Sequence, residues 1–160
     1  MKSIYLILGA KNTRKSSLVR CLIGSDNPAT QVEVRTLAGL DFRMRGLIGA
    51  AQERELSPKD WVKDLDGQEH WFGAFKSVRN IIAPLRYDSE VVNRRRYPSG
   101  EEYVDTLIQA GWWVKVIVSL GEPSRDWVRV SGIPNIAIPD STSIPTDALA
   151  ASVKQALDWR

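Results

Sequence analysis

IYLILGAKNTRKSSLVRCLI, residues 4–23, changes character twice. Ile4 to Leu8 is an unbroken apolar run of strand length, residues 9–16 are polar and basic, and Leu18, Val19, Leu22 and Ile23 return at the spacing of one helix face. This predicts a strand, a tight turn and a helix. Such a junction is suited to phosphate: the turn aims several backbone N–H groups at one point, the helix adds the positive end of its dipole, and a cation reaches the terminal phosphates. Gly9 supplies the exit from the strand, Lys15 the point charge, and Ser16 a hydroxyl ligand for Mg²⁺.

The stretch follows the pattern Gly, four residues, Gly, Lys, Ser or Thr at every position but one, because Arg14 stands where the second glycine belongs. A side chain held there at positive φ costs about 1 kcal/mol. Its guanidinium is also suited to grip phosphate oxygens in a bidentate way. The arrangement resembles the P-loop NTPase superfamily, directly over residues 4–23 and elsewhere through strands and helices of compatible length. The resemblance implies that Gly9, Ala10, Lys11, Asn12, Thr13, Arg14, Lys15, Ser16 and Ser17 contact a nucleotide, with Lys15 catalytic and Ser16 on the metal. Two plainer readings stay open, a polar turn with no ligand and a loop that has kept its fold and lost its nucleotide.

A chain of 160 residues predicts one domain, residues 1–160, with an ordinary core. The 43% apolar and 26% charged residues are those of a soluble globular protein, which excludes disordered and membrane-spanning classes. Cys21 is the only cysteine, so no intramolecular disulfide framework exists; a cytoplasmic location is expected, and Cys21 is read as buried helix packing. The first apolar run is short and is followed at once by Lys11, Arg14 and Lys15, unlike a signal peptide, and no stretch approaches the roughly 20 apolar residues of a membrane span. His70, the only histidine, has no Cys or His neighbour that would make a metal site.

Beyond the first helix, residues 31–37 and 40–44 alternate in the period of half-buried strands joined at Ala38 and Gly39, which predicts a hairpin. Residues 46–53 read as a surface connection, or as a mobile segment whose Gln52 or Glu53 orients water. Ser57 and Pro58 open a helix that buries Trp61, Val62 and Leu65 and stops at Gly67. Trp71, Phe72, Phe75, Val78 and Ile82 predict a second helix. Residues 80–86 suit a parallel strand, but Pro84 argues against a central place. Ser99 and Glu102 form a capping box before Tyr103, Val104, Leu107, Ile108 and Ala110. Residues 112–119, WWVKVIVS, read as a strand buried on both faces, residues 121–132 as a polar loop, and residues 135–138 as a short strand. Thr146 and Asp147 open a last helix with Leu149, Ala150, Val153, Ala156 and Leu157 on its inner face. This alternation predicts an α/β three-layer sandwich with a mostly parallel central sheet, P-loop NTPase-like.

Ligands of such sheets bind beyond the carboxyl ends of the strands. In the superfamily that the loop resembles, a neighbouring strand ends in an acid that supports Mg²⁺. Here residues 84–87 are Pro, Leu, Arg and Tyr, so Asp88 and Asp41 are the substitutes. Arg125 and Arg129 follow the buried strand and, by likeness to nucleoside kinases of the superfamily, are candidates for holding donor or acceptor phosphates. Arg94, Arg95 and Arg96 fit a solvated surface or an acidic partner, protein or nucleic acid, with Tyr97 and Trp127 as stacking faces. The guanine-reading Asn-Lys-x-Asp is absent from residues 119–125 and 135–140, so ATP with Mg²⁺ is expected; Asp140 and Ser141 are base or ribose contacts by position. Two functions follow: an ATP-binding protein, with phosphotransfer of the nucleoside- or nucleotide-kinase type, or a catalytically inactive adaptor that works through its arginine-rich loops.

Overall fold

The computed structural model describes residues 1–27, 31–67, 79–121 and 126–160. Along the chain run β1 (Lys2–Gly9), α1 (Lys15–Ile23), β2 (Gln31–Arg35), β3 (Asp41–Gly46), α2 (Pro58–Gly67), β4 (Arg79–Arg86), β5 (Glu90–Val92), β6 (Arg95–Tyr97), α3 (Gly100–Gln109), β7 (Trp113–Leu120), α4 (Asp126–Val130), β8 (Asn135–Ile138) and α5 (Thr146–Ala156). One sheet takes the order β2-β3-β4-β1-β7-β8. Its strands are parallel except β2, which forms an antiparallel hairpin with β3; β5 and β6 make a separate hairpin.

The even and odd residues of β1 build two cores. Ile4, Leu6 and Leu8 pack with Trp61, Leu65, Tyr103, Leu107 and Val128, so α2, α3 and α4 cover one face. Tyr5 and Ile7 pack with Leu18, Val19, Leu22, Leu149 and Val153, so α1 and α5 cover the other. The result is the expected three-layer α/β fold, with the loop-bearing strand at its centre.

Pro84 does sit in a central strand, opposite Ile7 of β1. In a parallel ladder a residue's N–H and C=O point to one side, alternating along the strand. Ile82 accepts from Leu47 on the β3 side, whereas Tyr87 donates to Gly9 on the β1 side. Pro84 therefore faces the β3 side, and β3 has already ended, because its last pair with β4 is Gly46 with Ile82. The missing donor therefore interrupts no β3–β4 pair. One step further along, Gln52 takes over that edge: its Oε1 accepts from the Arg86 N–H and its Nε2 donates to the Arg86 and Pro98 carbonyls, each at 3.4 Å.

Other expectations are corrected by geometry. Cys21 lies on the exposed face of α1, since Leu18, Val19, Leu22 and Ile23 take the inner one. Ser99 is the N-cap of α3 but makes no side-chain cap bond. The segment 121–132 contains a short helix, α4, whose Val128 is fully buried. Ile82 belongs to β4 rather than to a helix, and Trp71, Phe72, Phe75, Val78 and His70 lie outside the described residues. Trp127 is partly buried against the core beside α3, as the reading of the tryptophans as packing residues expects.

Candidate functional site

The parallel strands bring the carboxyl ends of β1, β4 and β7 to one edge, in register at Gly9, Arg86 and Leu120. There the chain leaves β1 for the loop. Thr13 folds back, donating from Oγ1 to the Ala10 carbonyl at 2.9 Å. A Cβ on Gly9 would lie 2.3 Å from that oxygen, so the close approach explains the glycine. Asn12 (φ 61°) and Arg14 (φ 59°) are both left-handed. Asparagine accepts this readily; at Arg14 the conformation is the one a glycine would take, with the strain expected of a larger side chain.

What holds Arg14 there is the turn after β8. Its Nη2 donates to the Ser141 and Ile144 carbonyls, 2.6 Å to the latter, and its Nη1 donates to Thr146 Oγ1 at 3.2 Å. Both Nη2 hydrogens are thus engaged inside the protein. The bidentate grip on phosphate expected of Arg14 is replaced by a grip on the protein itself.

Lys15 opens α1 and is only 5% exposed. Its ammonium folds into the loop, donating to the Ala10 carbonyl at 2.5 Å and to Thr13 Oγ1 at 3.3 Å. Burial lowers its pKa to about 8; the Glu53 carboxylate opposes that shift and the Arg86 guanidinium adds to it. Ser16 Oγ, in the next position, accepts from the Gly49 N–H at 3.2 Å. Ala10, Lys11, Arg86, Asp88 and Glu90 are among the residues that line a cleft of about 290 Å³ beside the loop.

Beside the end of β4 lies a carboxylate from another segment, Glu53. Arg86, 8% exposed, donates from Nη2 to Glu53 Oε1 at 2.8 Å and pairs through Nη1 with Glu90. Burial alone would raise the Glu53 pKa, but the Arg86 hydrogen bond, the Ala50 N–H and the charges of Arg86 and Lys15 hold it below the usual range. Glu53 is the residue whose importance the sequence understates, because no local pattern ties position 53 to positions 15 and 86. Gln52, its neighbour, is fully buried and bonded to backbone, not placed to orient water. Asp41 starts β3 at the opposite end of the sheet and is held by Arg35, at 2.7 Å.

Elsewhere the predicted residues are spread out. Arg129 pairs with Asp126 on the exposed side of α4, and Arg125 lies outside the described residues. Asp140 follows β8, and its carbonyl accepts from Ser143. Ser17 is in the first turn of α1. Arg94, Arg95 and Arg96 are exposed on the β5–β6 hairpin, whose two-residue tip, Asn93 and Arg94, has positive φ at both positions, as such turns require.

The fold and site define an α/β protein with a phosphate-loop-like junction of strand, turn and helix at the centre of its sheet. No family model matches the chain, and no curated protein matches it. Among solved structures it aligns with the FeoB G-domain from Methanococcus jannaschii at 17% identity, covering 98% of this chain and 99% of that chain with a TM-score of 0.45. Among the described residues no helix is long and apolar enough to cross a membrane.

Proposed function

We propose that the chain binds a nucleoside triphosphate at residues 9–17, with ATP and Mg²⁺ as the expected ligands. The observation that supports this most is Lys15: a buried ammonium at the start of a nine-residue helix, folded into a loop that puts two left-handed residues before it. A bound phosphate would exchange that internal carbonyl for a charged partner and would meet the first-turn N–H groups of α1. Mg²⁺ fits the donor chemistry, since Ser16 offers a hydroxyl and the phosphates the rest, with Asp88 as the proposed acid nearby. Among the described residues no three His, Cys, Asp or Glu side chains gather as a metal cluster, so the phosphates would supply most of the ligands.

The narrower reading is phosphotransfer. The cleft beside the loop gives an acceptor a place next to the terminal phosphate, and Arg125 and Arg129 remain proposed helpers. Thermal unfolding with ATP, ADP and GTP, each with Mg²⁺, tests the site. Ligand at about a hundred times Kd should stabilise the wild type by roughly 2.7 kcal/mol, and Lys15→Ala should fold yet show no shift. An equal shift in Lys15→Ala would remove the role assigned to that lysine, and a shift with GTP alone would replace ATP.

A second reading, a binding protein without turnover, is supported by the exposed arginines of the β5–β6 hairpin. It is tested by complex formation with a polyanion as salt is raised.

A further inference from the structure

Arg14 is the one departure from the phosphate-loop pattern, and its side chain is fastened to a segment more than a hundred residues away. The acceptors at Ser141, Ile144 and Thr146 span the turn that joins β8 to α5. That turn is itself closed, with the Ser143 N–H and Oγ both on the Asp140 carbonyl. It also carries Ser141, 1% exposed, whose hydroxyl has no hydrogen-bond partner among the described residues. Position 14 directly precedes Lys15, so the tie sets where the turn lies relative to the proposed phosphate-binding cation. A guanidinium forked onto several oxygens fixes direction as well as distance, which a single ammonium does not.

We propose that Arg14 is a positioning residue that locks the phosphate loop to the turn at residues 140–145, so that the phosphate and nucleoside ends of a ligand meet surfaces held in fixed relation. The inference rests on residues 9–17 being a nucleotide site and on Asp140 and Ser141 being its nucleoside contacts. Its consequence is a division of labour. Phosphate alone needs only the loop, whereas the extra affinity contributed by the nucleoside depends on the tie.

Calorimetric titration of the full chain with Mg²⁺ tripolyphosphate, ATP and GTP separates these. Glycine suits φ near 59° at position 14, so whatever Arg14→Gly does to tripolyphosphate affinity, its preference for nucleoside triphosphate over tripolyphosphate should fall about tenfold. Arg14→Lys should recover only part of that preference, having charge without the fork. Thr146→Val removes one acceptor, should lower the preference about two- to threefold, and carries the test if Arg14→Gly does not fold. A residue with only a structural role would lower the melting temperature and leave the preference untouched; that result overturns the proposal. A wild type that binds tripolyphosphate and nucleotide equally overturns it too. If the wild type binds neither, the nucleotide site itself falls, and the tie's function with it.

Discussion

Lys15 carries two opposite dependences on pH. Its folded pKa, about 8, lies below the ordinary 10.5, chiefly because of burial. The unfolded chain therefore holds this proton more tightly. The burden on stability is present below about 8 and is lifted as pH rises toward 10.5, so this group makes the protein more stable across that window. Anion binding goes the other way, since it needs the cation. Tripolyphosphate affinity should fall about tenfold per pH unit above the folded pKa, a slope of one proton, and Lys15→Met should be flat over the same window. Calorimetry across a buffer series decides it. A wild type with no slope would mean that the ammonium does not face the anion.

At the scale of elements, the joint between β4 and α3 is a close approach against backbone near the site. The Gly100 N–H donates to the Tyr87 carbonyl, and a Cβ at position 100 would lie 2.5 Å from the Arg86 carbonyl oxygen. That neighbour is backbone and cannot rotate away. Gly100→Ala should cost about 1–3 kcal/mol in urea denaturation, whereas Gly67→Ala, at the end of α2 with nothing within 4 Å of an added Cβ among the described residues, should be neutral or stabilising by up to about 1 kcal/mol. An unchanged midpoint for Gly100→Ala would show that α3 can shift. The strands and helices of the sandwich were legible because each writes its period locally, as residues 113–120 and 146–156 do. The central place of Pro84 was not, because it depends on where a different strand stops. Glu53 and Gln52 were named as candidates, but their partners were hidden for the same reason: these are set by how far β4 outruns β3, and nothing in residues 46–53 encodes that length.

Over the whole molecule, the net charge of +3 understates how charge is arranged. At the carboxyl edge of the sheet, Lys15, Arg86 and Lys11 are balanced by Glu53 and Glu90, while Arg94, Arg95 and Arg96 project on their hairpin. If that hairpin engages a single-stranded nucleic acid, replacing the three arginines with alanine should reduce the slope of log K against log salt by about 2. Fluorescence anisotropy between low and moderate salt measures it, and an unchanged slope would exclude the hairpin from the contact. The arginines were visible in sequence; their shared hairpin was not, since the turn at Asn93 and Arg94 lacks the usual glycine. The placing of Cys21 has a practical side. The molecule's single thiol stands in the open on α1, the helix that leaves the phosphate loop, and its inner face is anchored to the same strand as that loop. A spectroscopic probe attached there needs no engineering, and a second cysteine at the hairpin tip would turn the pair into a ruler for ligand-driven movement.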